Sequence, residues 1–201
     1  MGLAYSTVFD RLPQGAKLVV TGPENAGKKT IVGRFRLGDG RGVVRMSDGF
    51  SINQLSVKPA SSSRLFHFDL TRKTWAKYAA EMRKYYGEAE GVVFVVDSSD
   101  RESLLDARDL LHRMLKDPML HDSVILVLAN KSDAEGALNV GSVTRLLELE
   151  QFNQLIWRVV GTSGLSEQGL YEAMDWLSRT LVKKQELAGA SPGLVAGSEG
   201  G

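Results

Sequence analysis

Cysteine is absent from the 201 residues. That excludes disulfides, thiolate-held zinc and prenylation of a C-terminal cysteine, and it is compatible with a reducing cytosolic setting without requiring one. Neither sign of charge prevails, with 25 Lys and Arg against 24 Asp and Glu. Such a chain makes no broad field for capturing nucleic acid, which is not expected among its partners. Also missing are an apolar run long enough to cross a bilayer and a cleavable signal sequence, so a soluble protein is expected. What is present is ordinary globular composition, 43% hydrophobic and 24% charged, with length for one packed core.

Strand-like and helix-like segments alternate. Lys17–Thr21 is largely apolar and β-branched, and it runs into a glycine-rich loop that opens a helix over Thr30–Leu37. Phe50–Val57 and Arg64–Leu70 flank Pro59-Ala60-Ser61-Ser62-Ser63 and read as a hairpin with a loose turn. A helix of mixed polarity is expected over Thr71–Tyr86. Gly91–Asp97 and Val124–Ala129 are almost continuously apolar, the pattern of strands buried on both faces of a parallel sheet. Between them Ser99 or Asp100 can cap a helix that carries Leu104, Leu105, Ala107, Leu110, Leu111 and Met114 inward and stops near Pro118. A short helix near Val143–Leu149, a strand at Ile156–Val160 and a helix from Glu167 to about Leu187 follow. The expected class is α/β, a mostly parallel sheet covered on both faces. Residues 188–201, rich in Gly, Ala and Ser, are expected to be a disordered tail.

Two motifs carry the chemistry. Gly22-Pro23-Glu24-Asn25-Ala26-Gly27-Lys28 matches G-x-x-x-x-G-K, but the following position, which asks for Ser or Thr, is Lys29, with Thr30 after it. A loop of this kind curls successive backbone N–H groups around phosphate oxygens, and Lys28 reaches the outer phosphates. The candidate phosphate-binding residues are Gly22, Glu24, Asn25, Ala26, Gly27, Lys28, Lys29 and Thr30. Alone, the loop has a glycine turn without a ligand as its lesser alternative. The second motif, Asn130-Lys131-Ser132-Asp133, follows a buried strand, at the sheet end where ligands of such folds bind. The Asp133 carboxylate can accept the ring N–H and exocyclic amine of guanine together, a pair that adenine does not offer. The Lys131 stem can cover the base face, and Asn130 can brace the loop. A third segment, Gly161-Thr162-Ser163-Gly164-Leu165, adds Ser163 and Gly164, where backbone N–H groups can meet the guanine carbonyl.

Met1-Gly2-Leu3-Ala4-Tyr5-Ser6 fits the acceptor pattern for N-myristoylation at Gly2. Leu3, Val8, Phe9 and Leu12 can line one side of a helix over 1–13 that ends before Pro13. One acyl chain binds a membrane weakly, so an apolar stripe beside it makes physical sense. The alternative is that Gly2 is merely a small second residue.

Over residues 1–187 the chain resembles the ADP-ribosylation factor (Arf) and Arf-like small G proteins. The resemblance lies in Gly22–Lys28, in Val93-Phe94-Val95-Val96-Asp97-Ser98 with Asp100-Arg101-Glu102, in Ala129-Asn130-Lys131, and in Gly169-Leu170-Tyr171-Glu172 with Asp175-Trp176-Leu177. It implies a Ras-like P-loop G-domain over 14–187, a six-stranded mostly parallel sheet flanked by helices, with GTP and GDP as ligands. It also implies effector or regulator proteins as partners. Phe50, Phe68 and Tyr85 match a partner-binding aromatic triad, core packing being the alternative for each. A cytoplasmic protein held at the periphery of a membrane is expected, at the Golgi, another endomembrane or the cilium, in vesicle trafficking.

The departures from the family pattern gather on the magnesium and γ-phosphate side. Lys29 replaces the metal-binding hydroxyl; an ammonium cannot ligate Mg²⁺ and repels it. Thr30 points elsewhere by roughly 100° of helix. Met46-Ser47-Asp48-Gly49-Phe50 stands where the first switch has Pro-Thr-Ile-Gly-Phe, so Ser47 still offers a hydroxyl to a metal. In the second switch Asp69 survives, a metal partner through water, but residues 70–86 contain neither Gly nor Gln, so the γ-phosphate amide and the water-orienting side chain are lost. Two readings follow. One is a guanine-nucleotide binder that works without Mg²⁺ and hydrolyses GTP weakly or not at all. The other is a nucleotide-independent scaffold. Retention of the guanine side favours the first, and no catalytic residue is assigned. An ATP-dependent kinase or ATPase is disfavoured by Asn130–Asp133.

Overall fold

The computed structural model describes residues 8–35, 43–45, 51–56, 63–69 and 72–189, with 43–45, 51–56, 69 and 72–76 by backbone alone. Seven strands form one sheet: β1 (Lys17–Thr21), β2 (Val43–Arg45), β3 (Ser51–Ser56), β4 (Arg64–Asp69), β5 (Gly91–Asp97), β6 (Val124–Asn130) and β7 (Ile156–Gly161). Their order is β2-β3-β4-β1-β5-β6-β7. β2 and β3 pair antiparallel, as do β3 and β4. β4, β1, β5, β6 and β7 run parallel. The expected α/β class holds, and the sheet has one short strand more than six, because Val43–Arg45 extends the hairpin edge. Among the described residues, α1 (Lys28–Arg34), α2 (Arg72–Tyr86), α3 (Arg101–Leu115) and α4 (Val140–Leu146) lie between strands, and α5 (Leu170–Gly189) follows the last.

The pleat of β5 explains the layering. Successive side chains point to opposite faces, so Val92, Phe94 and Val96 enter one core while Val93 and Val95 enter the other. On the first face Phe94 packs in a cluster with Met82 of α2, Leu104 and Leu111 of α3, and Val143 of α4. On the second, Val93 and Val95 share a cluster with Ile31 of α1 and Leu170, Met174, Leu177 and Leu181 of α5. Asp100 caps α3 by accepting from the Ser103 N–H at 3.0 Å, as expected of one of the two candidate caps. Leu105, placed inward by the sequence reading, faces solvent. The buried stripe of α3 is Leu104, Ala107, Leu111 and Met114, and Leu105 lies about 100° off it.

The N-terminal stretch belongs to the second core. Residues 8–10 are helical, and Val8, Phe9 and Leu12 are buried beside Ile31, Val32 and Phe35. The Phe9 and Phe35 rings meet edge to face, centroids 5.5 Å apart. Arg11 forms an ion pair with Asp175 of α5. The apolar side that the sequence offered to a membrane here faces the protein. Gly2, Leu3 and residues 190–201 lie outside the described residues, and the first two residues of the expected tail, Ala188 and Gly189, are instead the end of α5.

Candidate nucleotide-binding site

β1 delivers the chain into the glycine loop at Gly22, whose φ is 137°. An added Cβ there would stand 2.1 Å from the Val95 carbonyl oxygen, so no other residue fits without moving β5. Gly27 has φ 93°, and its Cβ would stand 2.3 Å from Asn130 Nδ2. Asn25 also has positive φ, 60°. Positive φ at three places bends the loop into a concave backbone, the shape that presents N–H groups to an anion. Lys28 is 4% exposed, and its Nζ donates to the Gly22 carbonyl at 2.9 Å and the Pro23 carbonyl at 2.6 Å. Its amine therefore lies over the loop. Glu24, Asn25, Lys29 and Thr30 are exposed along the rim, and Ala26 is buried beneath it.

Asn130, at the end of β6, joins this loop to the other candidate. Its Nδ2 donates to the Ala26 carbonyl at 2.8 Å, and its Oδ1 accepts from the Gly164 N–H at 2.9 Å. Buried and satisfied on both sides, it holds two loops in one register. Lys131 has φ 59° and forms an ion pair with Asp97, whose Oδ1 accepts from Ser99 N at 2.9 Å and Ser99 Oγ at 2.6 Å. Burial of Asp97 opposes its ionisation. The hydrogen bonds from Lys131 and Ser99, together with the Lys131 charge, outweigh that and hold the carboxyl below its ordinary range. Asp133 is exposed beside them.

The third loop differs from expectation in its donors. Ser163 N donates to the Gln168 carbonyl at 3.0 Å, and Gly164 N is engaged by Asn130. Ser163 Oγ accepts from Ser166 N at 3.1 Å. The two residues singled out for backbone contact with guanine thus spend their amides on the protein. Sequence reasoning also missed Arg34. From the last turn of α1 it reaches the carbonyls of Gly164 and Leu165, each at 2.9 Å. Nothing in the local sequence marks it, because the contact spans 130 residues of chain.

The remaining expectations are scattered. Pairing of Val20 with His67 places Asp69 at the phosphate end of β4. Ser47 and Phe50 lie outside the described residues. Phe68 is fully buried, and its ring packs edge to face on half-buried Tyr85, centroids 5.5 Å apart. It is part of the core and not of an exposed aromatic surface. For Mg²⁺ the second residue of α1 does not fit, since Lys29 offers donors and positive charge where an oxygen ligand is needed.

A mostly parallel sheet that opens a phosphate loop after β1, an Asn-Lys-x-Asp loop after β6 and a bracing loop after β7, all at one end, is the architecture of a P-loop small GTPase. The chain matches the ADP-ribosylation factor family over residues 5–181 and belongs to that family. Its members are GTP-binding switch proteins that take GTP and GDP. Among the described residues no helix is long and apolar enough to cross a membrane.

Proposed function

We propose that this Arf-family protein binds guanine nucleotides independently of Mg²⁺ and acts as a membrane-associated switch or adaptor with impaired or absent GTP hydrolysis. The observation that carries the reading is Asn130, which ties the phosphate loop and the guanine loop together through Ala26 and Gly164. Gly22 and Gly27 supply the backbone cradle, Lys28 the cation at the outer phosphates, and Asp133 the carboxylate that selects guanine. Lys29 adds positive charge beside Lys28, in the place of a metal ligand. Loss of hydrolysis rests on Lys29 and on the lack of Gly and Gln in residues 70–86. Membrane association rests on acylation at Gly2, and partner binding on the surface around Tyr85 and Phe50.

One observation favours a nucleotide-independent scaffold. Lys28 Nζ and the Gly164 N–H are already satisfied by Gly22, Pro23 and Asn130, so the fold does not depend on a ligand to complete these bonds. Titration with fluorescent GTP and GDP, in Mg²⁺ and again in EDTA, separates the two. Guanine-selective binding unaltered by EDTA is expected, with no measurable phosphate release from GTP. Absence of binding in both buffers, or equal affinity for ATP and GTP, would sink the proposal.

A further inference from the structure

We propose that Arg34 is a positioning residue for the guanine-side loop, and that it makes base selectivity depend on the helix that follows the phosphate loop. The inference rests on the guanine-nucleotide reading above. One guanidinium serves three acceptors: Nε donates to Gly164 O at 2.9 Å, Nη2 to Leu165 O at 2.9 Å, and Nη1 to Glu167 Oε1 at 3.3 Å. The planar fork of arginine reaches acceptors in several fixed directions, which the single ammonium of lysine cannot reproduce.

The same loop is held from its other side. Gly164 donates its N–H to Asn130 and gives its carbonyl to Arg34, so both peptide planes that flank it are fixed. The peptide bond is planar and trans, so a Gly164 carbonyl aimed at Arg34 turns the Leu165 N–H away from it. Within residues 163–166, the amides of Ser163, Gly164 and Ser166 are used within the protein, and Leu165 N–H is the donor left over. Leu165 is 74% exposed. Arg34 thereby sets the direction of one loop amide that the protein's own acceptors leave for a ligand.

Two further features show that the arrangement is constrained. Glu167 holds φ 66°, an unfavourable conformation for a side-chain-bearing residue, while its carboxylate is tied to Arg34. The loop also lies directly on α1: a Cβ on Gly164 would stand 3.3 Å from Thr30 Cγ2 and 3.4 Å from Ile31 Cγ1. A shift at the start of α1 is therefore transmitted to the base side through packing as well as through Arg34.

The test uses the full chain with Arg34→Ala and Arg34→Lys, each checked for folding by circular dichroism. Fluorescent GDP and ADP and inorganic pyrophosphate are titrated against each. Both variants are expected to weaken GDP by roughly tenfold and to shrink the GDP-to-ADP preference by the same factor, with pyrophosphate affinity unaltered. A lower melting temperature with an unaltered GDP-to-ADP ratio would show a merely structural residue and overturn the proposal. Full rescue by Arg34→Lys would overturn the fork argument. Wild-type protein that ignores GDP would overturn the nucleotide reading and this inference together, an outcome distinct from the other two.

Discussion

Asp97 sits at the end of β5 with its carboxylate held by Lys131 and Ser99, and its charge has a definite effect on stability. Its folded-state pKa lies below the ordinary 3.8. The unfolded chain therefore binds the proton more readily, and the stabilisation is complete above the ordinary value and lost as pH falls through the folded one. Denaturation of wild type and Asp97→Asn across the acid range is expected to show a constant stability gap from neutrality down to about pH 5, closing below that. A gap independent of pH would mean that Asp97 contributes no charge-dependent stability. The residues of this site divide by how visible they are in sequence. Lys28, Asn130 and Asp133 stand out because each belongs to a short motif with its own chemistry. Asp97 and Arg34 do not, because their partners are set by the sheet order and by the docking of α1 on a distant loop.

The first seven-residue helix illustrates what an element can do beyond its own length. α1 is short, with Gly33 near its end, and intrinsic propensity gives such a segment little stability. It is held by what it packs against: Phe9 on one side, the loop at Gly164 on another. Phe9 is nearly fully buried and its ring abuts Phe35, so Phe9→Ala is expected to cost about 3 kcal/mol. In a chain of this size that lowers the melting temperature by roughly 6–12 °C. A loss within a degree of wild type would mean that the N-terminal stretch is not part of the folded body in solution. Helical periodicity made the stripe of Val8, Phe9 and Leu12 legible in the sequence. Periodicity does not say whether such a stripe meets a membrane or a protein surface, and that is where the reading and the fold parted. Phe68 parted the same way: an aromatic at the end of a strand is equally a core residue until the helix that covers it is placed.

Seen as a whole molecule, the sheet gathers two loops far apart in sequence at one end, and Asn130 is the residue through which they are joined. A ligand that touches both loops stabilises the folded state by mass action. GDP is therefore expected to raise the melting temperature of wild type, and Asn130→Ala is expected to abolish that rise while the apoprotein still unfolds cooperatively. The variant leaves Ala26 O and Gly164 N unpartnered, at a cost of about 1–3 kcal/mol. An undiminished thermal shift in the variant would show that the two loops act separately. At this scale the sequence was most readable. The continuous apolar runs of β5 and β6 identified central parallel strands, and the alternation of strands and helices identified the class. The three-residue β2 escaped because so short a strand has no period to detect.

The docking of the N-terminal stretch has a mechanical consequence. With Val8, Phe9 and Leu12 held in the core, a lipid attached at Gly2 would hang from a leash of six peptide links, at most roughly 20 Å long. A tether that short restricts how the molecule can tumble beneath such an anchor. On the proposal that Gly2 is acylated, the face carrying α1 and α5 would stay turned toward the bilayer, and the opposite face, with α2 and α3, would point away from it.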